Sequence, residues 1–217
     1  MAEGIEIETV EFFPNRFFDH DVNEPFAKEI LQTVFGGEGW RYGDPQKKEP
    51  DLFFGEISIE LTLACDRNTT ENYIRKIKAG DYTTEDAEAE QLRFIDESIF
   101  DKTTRIYSVD GVNLCVICTI AMQDWVSDYY GSVTHFIVDW RRQQYFEDLR
   151  SKYINSGKFS NIYILFPDLC ASWWLFDLKT ESRKIICLTD EQINSGKYPY
   201  VMIKKCREKL IDDGVLL

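Results

Sequence analysis

Two histidines, His20 and His135, are all that the 217 residues hold, and no G-x-S-x-G turn is present. Ser-His-Asp and Cys-His nucleophilic sites therefore have few possible forms. The densest glycine run, Gly36-Gly37-Glu38-Gly39, lacks the G-x-x-x-x-G-K spacing that cradles nucleotide phosphates. No run of about 18 apolar residues occurs that would span a bilayer. The start, Met-Ala-Glu-Gly-Ile-Glu, has neither the basic nor the apolar part of a secretory signal. The expectation is a soluble, cytoplasmic protein without membrane contact. Positive charge is scarce too: 25 Lys and Arg stand against 38 Asp and Glu, a net charge of −13. Such a balance opposes tight, non-specific binding of nucleic acid, because neutralising phosphates needs cations. Internal repeats, low-complexity tracts and dividing linkers are also missing.

What is present suits one α/β domain over residues 1–217. Hydrophobic residues make up 44% of the chain, with 15 Phe, 11 Tyr and 5 Trp to fill a large core. The six cysteines are scattered through apolar surroundings. Cys115 and Cys118 form the one close pair, and three-residue spacing in a strand points them to opposite faces, which fits buried free thiols better than a metal site. Charge is unevenly spread: residues 1–66 carry five basic residues against fifteen acidic ones. The basic clusters come later, at Arg75-Lys76-x-Lys78, Arg141-Arg142 and Lys204-Lys205-x-Arg207. Arg75, Lys78, Arg141 and Arg142 are the candidates for phosphate contacts, and solvated helix faces are the plainer account of the same residues.

Asn23-Glu24-Pro25, an apolar stripe through Phe26, Ile30, Leu31 and Val34, and the stop at Gly36-Gly37 predict a first helix. Residues 40–42, 52–54 and 56–63 read as strands, with a second helix opening at Asn68-Thr69-Thr70-Glu71 and ending near Gly80. Residues 81–102 are acidic and helical in spacing, through Leu92, Ile95 and Ile99, and look like an insertion. Residues 112–120 predict a buried central strand and 136–155 a helix. Residues 162–166 and 173–178 predict a hairpin, 184–188 a further strand, and 200–211 a last helix.

The segment from Pro50-Asp51 to Glu56-Ile57-Ser58-Ile59-Glu60-Leu61-Thr62 carries the chemistry. A strand over 56–63 puts Glu56, Ser58, Glu60 and Thr62 on one face and Ile57, Ile59, Leu61 and Leu63 on the other. Asp51, nine positions before Glu60, reaches the same place if a hairpin turns near Gly55. Carboxylates held together repel one another unless a cation lies between them, and hard oxygen ligands suit Mg²⁺ or Mn²⁺.

Pro50, Asp51 and Glu60 together resemble the motif of the PD-(D/E)XK nuclease superfamily, over roughly residues 20–120. The resemblance implies a restriction-endonuclease-like αβββαβ core within about residues 20–170. A central mixed sheet flanked by helices, the insertion at 81–102 and a C-terminal β-hairpin plus helix would complete it. It also implies metal-dependent hydrolysis of phosphodiester bonds in DNA or RNA. Asp51, Glu60 and the Leu61 carbonyl would hold the metal. Thr62 stands where the family carries its Lys. Some cap-snatching viral endonucleases of the superfamily share this E-x-T form, take the Lys from the following helix and add a metal-binding His upstream. By that pattern Lys76 supplies the cation and His20 a metal ligand, while Glu29 is the acidic residue of the first helix facing the cleft. The alternative that the missing motif Lys and the acidity favour is a catalytically degenerate binding or assembly module, with a homodimer or protein partner. A third reading is an unrelated α/β interaction protein.

Overall fold

The computed structural model describes residues 9–12, 17–79, 81, 84–119, 140–168 and 171–203. In chain order these form β1 (Thr9–Phe12), α1 (His20–Phe35), β2 (Trp40–Tyr42), β3 (Leu52–Phe54), β4 (Ile57–Leu63), α2 (Arg67–Ala79), α3 (Thr84–Lys102) and β5 (Asn113–Ile117). Then follow α4 (Trp140–Leu149), which runs on into a π-helical turn at Arg150–Ile154, β6 (Ile162–Asp168), β7 (Ser172–Asp177), β8 (Arg183–Cys187), α5 (Asp190–Asn194) and β9 (Tyr200–Ile203). No described helix is long and apolar enough to cross a membrane.

Seven strands make one mixed sheet in the order β2-β3-β4-β5-β6-β7-β8. β2, β3 and β4 form an antiparallel meander, β4, β5 and β6 run parallel, and β6, β7 and β8 return to antiparallel pairing. The parallel steps are those that cross through helices, α2 and α3 between β4 and β5 and α4 between β5 and β6, as parallel pairing requires.

Side-chain alternation divides the core between the two faces of this sheet. Phe17 and the α1 residues Phe26, Ala27, Ile30 and Leu31 pack with Leu52, Ile59, Leu61, Cys115, Leu165 and Trp173 on one face. Ile95 and Ile99 of α3 and Phe146 and Leu149 of α4 pack with Leu114, Val116, Ile164 and Phe176 on the other. Cys115 and Cys118 fall in opposite clusters, as their spacing predicts. Burial pushes the Cys115 thiol up to about 12, so it packs as a small apolar group.

α1 begins at His20, earlier than its sequence signals suggest, and encloses Pro25, and its N-cap Asp19 makes no side-chain capping bond. An interior proline costs about 3 kcal/mol. Burial of Phe26, Ile30 and Leu31, at about 1.5–3 kcal/mol each, outweighs it.

The expected last helix is corrected at its start: Tyr200–Ile203 is a strand, paired antiparallel with β1 from Phe12↔Tyr200 to Thr9↔Ile203. The run Tyr-Val-Met-Ile suits a pleated surface better than a helix. Pro199 fixes its entry, its carbonyl accepting a bond of 2.9 Å from Trp173 Nε1. Residues 204–211 of that expected helix lie outside the described residues, as do 136–139 of the helix expected before Gly157.

Candidate active site

Gly55 takes φ +56°, a left-handed conformation that glycine adopts without strain, and closes the β3–β4 hairpin. The register Leu52↔Ile59, Phe53↔Ser58 and Phe54↔Ile57 follows. One more step of the same register sets Asp51 opposite Glu60, both on the face that bears Phe53 and Ser58. The β3–β4 backbone ladder ends before that step, while on the other edge of β3 Gly43 continues the pairing with β2. Gly43 N donates to Asp51 O at 2.9 Å. A Cβ at Gly43 would stand 1.8 Å from the Pro50 carbonyl oxygen, so only glycine permits this approach. The Asp51 side chain takes the place of the ladder, its Oδ2 accepting from Leu61 N at 2.7 Å. The N–H and C=O of one strand residue leave the strand on the same side, so the Leu61 carbonyl faces the same edge as Asp51.

Glu60 is 0% exposed. Lys102 Nζ donates to its Oε1 at 2.5 Å, and Arg105 Nη1 donates to the same oxygen. Glu60 Oε2 is buried and has no hydrogen-bond partner among the described residues; Tyr107 Oη is in the same condition. The two cations arrive from α3 and the loop after it. Ile95 and Ile99 anchor α3 in the core, and Lys102 follows Ile99 by three residues, on the same side of the helix. Arg105 N bonds to Lys102 O at 3.2 Å and Ser108 N to Lys48 O at 3.0 Å, which holds the loop against the segment leading to Asp51. Lys102 is 18% exposed in its side chain and Arg105 54%, so the lysine lies inside the site and the arginine at its mouth.

The electrostatics describe carboxylates on which burial weighs more than the neighbouring cations offset. Burial raises the Glu60 carboxyl above its ordinary value, the Asp51 charge raises it further, and Lys102 and Arg105 offset only part of this. Burial likewise raises Asp51, the Leu61 N–H and Lys102 act against it, and the charge of Glu24 on α1 adds to it. Burial and then the Glu60 charge push the Tyr107 hydroxyl upward. Two carboxylates, one backbone carbonyl and an orphaned Glu60 oxygen fit a hard divalent cation. Among the described residues no three His, Cys, Asp or Glu side chains gather as a ready metal cage. Mg²⁺ commonly keeps several waters and binds through one or two carboxylates plus substrate phosphates, so a two-carboxylate set is compatible with it.

The structure brings together Asp51, Glu60 and the Leu61 backbone, and places the other expected members as follows. Thr62 shares the Glu60 face and is half-buried. Lys76 lies exposed on α2, and the lysine seated on Glu60 is Lys102. His20 is 87% exposed at the start of α1, with Nδ1 3.2 Å from Glu24 Oε1. Glu29 accepts from Tyr198 Oη at 2.8 Å and from Gln192 Nε2 at 3.2 Å, tying α1 to the segment around α5. The α1 carboxylate that bears on Asp51 is Glu24. Arg75 is exposed and donates to Asn72 Oδ1 at 3.0 Å. The side chains of Lys78, Arg141 and Arg142, and the whole of His135, lie outside the described residues.

Lys102, Arg105, Glu24 and Tyr107 were not singled out from the sequence. One signal was available for Lys102: the stripe Leu92, Ile95, Ile99 continues at its own spacing to a cation ending an acidic helix. Comparison with protein-family models, with curated proteins and with solved structures finds no match.

Proposed function

We propose that the chain is a divalent-metal-dependent phosphodiesterase of nucleic acid, with Asp51 and Glu60 as metal ligands and Lys102 as the catalytic cation. The observation that carries this reading is the pairing of half-buried Asp51 with fully buried Glu60, with Lys102 Nζ 2.5 Å from Glu60 Oε1. The order α1, then the meander β2-β3-β4, then helices, then β5 parallel to β4 is consistent with the αβββαβ core of the PD-(D/E)XK superfamily. In that reading α3 does the work of the missing motif lysine, and Thr62 has no charge to contribute.

A bound Mg²⁺ or Mn²⁺ would supply an activated water and a Lewis acid for the phosphoryl oxygen. The residues supply the rest. Asp51 is aimed by the Leu61 N–H, Glu60 is fixed by its burial, and the Leu61 carbonyl completes the protein's ligands. Lys102 holds a positive charge within reach of Glu60, where it can orient a water and offset charge that develops on a phosphate.

One observation favours a second reading. Lys102 and Arg105 already neutralise Glu60, which is how a degenerate site kept as a binding module would dispense with metal. Calorimetric titration with Mn²⁺ separates the two: binding by the native chain that is lost in Asp51→Ala and in Glu60→Ala supports the metal site, and no binding by the native chain supports the module. In cleavage assays on single- and double-stranded DNA and RNA, Lys102→Ala is expected to lose about 10²–10³-fold in rate, the size of a preorganised electrostatic group, while still binding Mn²⁺. Lys76→Ala is expected to cleave at close to the native rate. Full activity in Lys102→Ala removes that residue from the mechanism.

A further inference from the structure

The charge count at the site becomes positive when a metal enters. Without metal, the carboxylates of Asp51 and Glu60 are matched by the ammonium of Lys102 and the guanidinium of Arg105. A divalent ion adds two positive charges to a pocket that is then electropositive inside a chain of net charge −13. Buried charge of one sign is costly unless it is paired, so the loaded site calls for an anion. The remaining question is which group receives that anion.

Arg105 has the required geometry. Its guanidinium spends Nη1 on Glu60 Oε1, the oxygen that Lys102 also occupies. A guanidinium has five donors in a rigid fork, and with 54% of the side chain exposed the arginine stands where a ligand arriving from solvent can reach it. The loop that carries it is held at both ends, by Arg105 N to Lys102 O and by Ser108 N to Lys48 O, so little conformational freedom is lost on binding. Two residues on, the Tyr107 hydroxyl is buried beside Arg105 and Glu60, a further polar group in the same pocket. A metal at Glu60 and the Arg105–Glu60 ion pair make rival demands on one carboxylate.

Resting on the proposed metal site, we infer that Arg105 is the phosphate-binding residue of this pocket, released from Glu60 when the metal binds, so that metal and a phosphodiester bind cooperatively. Arg105 then acts as a charge exchanger. It neutralises Glu60 when the pocket is empty and turns its fork to the phosphate when the metal has taken over that duty. The fork matches two phosphate oxygens, which a lysine in its place would not do. Linkage requires the coupling to be reciprocal, so phosphate tightens metal by the same factor that metal tightens phosphate.

The test is Mn²⁺ titration calorimetry on the full chain, alone and with a phosphorothioate-linked tetrathymidylate that resists cleavage, with thymidine as the arm that lacks phosphate and sodium sulfate as the arm for anions in general. In the native chain the oligonucleotide is expected to tighten Mn²⁺ at least about 10-fold, within the range usual for coupled sites; thymidine has no effect and sulfate only a small one. Arg105→Ala is expected to bind Mn²⁺ alone at least as tightly as the native chain, since Glu60 loses a competitor, and to keep less than about 3-fold coupling. Arg105→Lys retains the charge without the fork and falls between. A purely structural Arg105 gives the opposite pattern, weaker Mn²⁺ binding with coupling intact, and that overturns the inference. Native binding of Mn²⁺ without coupling also overturns it and leaves the metal site standing. Equal coupling with sulfate makes the pocket a general anion site, against the assignment to phosphodiester. Absence of Mn²⁺ binding in the native chain removes the proposed function itself.

Discussion

Glu60→Gln should stabilise the metal-free protein and destabilise it relative to the native chain once Mn²⁺ is added. The reasoning starts from what Glu60 has around it. Its bond from Lys102, a charge-assisted one in a nearly closed pocket, is worth about 1.5–3 kcal/mol. Its pair with the half-exposed Arg105 is worth about 0–1 kcal/mol. Against these stand the dehydration of a fully buried carboxylate and repulsion from Asp51, and an ion removed from water costs several kcal/mol. The carboxyl lies above its ordinary value in spite of both cations, which means the opposing effects win and the charged form is the strained one. An amide keeps the shape, still accepts from Lys102 through its oxygen, and puts an NH₂ where Oε2 has no partner. The expected gain is about 1–2 kcal/mol, at the low end of what replacing a whole buried ion pair by apolar residues yields, because Lys102 is left without its counter-charge. In a chain of this length that corresponds to a rise in Tm of about 2–8 °C. With Mn²⁺ at a hundred times its Kd the native chain gains about 2.7 kcal/mol that the variant does not, so the order of the two melting temperatures inverts. Thermal unfolding followed by circular dichroism, in EDTA and in Mn²⁺, measures both halves. A loss of about 3 kcal/mol or more in EDTA, the signature of a broken structural ion pair, would refute the reasoning, as would equal Mn²⁺ shifts in the two proteins.

The same raised carboxyls set the pH dependence. Their folded values lie above those of the unfolded chain, so the folded state keeps protons that the unfolded state has released; their contribution is intact below the ordinary carboxylate range and is lost as pH rises through the window above it. In EDTA, the stability of the native chain relative to Glu60→Gln is therefore expected to fall as pH rises across that window, and a flat or rising difference in urea melts contradicts it. Gly43→Ala would drive a Cβ to 1.8 Å from the Pro50 oxygen; the backbone must move, at a cost of about 2 kcal/mol or more, and Asp51 moves with it, so Mn²⁺ binding weakens as well. An unfolding free energy from urea melts within about 0.5 kcal/mol of native would show that the approach of these two segments is not what holds Asp51.

The sequence made the hairpin legible because its information there is local. Alternation over 57–63, a glycine where the turn needs positive φ, and Pro50 ahead of the ladder specify the shared face of Asp51 and Glu60 without help from the rest of the chain. The helix boundaries were less secure, since α1 is held by the burial of Phe26, Ile30 and Leu31 more than by its cap, and its first residues carry no mark of that. Strand β9 was misread because four residues have no resolvable period and its partner β1 is nearly two hundred positions away. The cation that pairs with Glu60 was not legible for a related reason. The helix next to β4 offers Lys76, while the chain passes through α2 and all of α3 before it returns to β5.

What that longer passage accomplishes is a matter of geometry. β5 is parallel to β4, so the connection must carry the chain back along the sheet before β5 begins. α3 does this with Ile95 and Ile99 in the core, and its C-terminal end therefore arrives at the Asp51–Glu60 end of the hairpin. The residues there are Lys102, Arg105 and Tyr107, which meet Glu60 as a consequence of topology and not of proximity in sequence. The segment that looked like an insertion is the element that supplies the positive charge of the site. A hairpin with two carboxylates on one face is tolerable in this fold because a helix of the required length ends above it with a lysine.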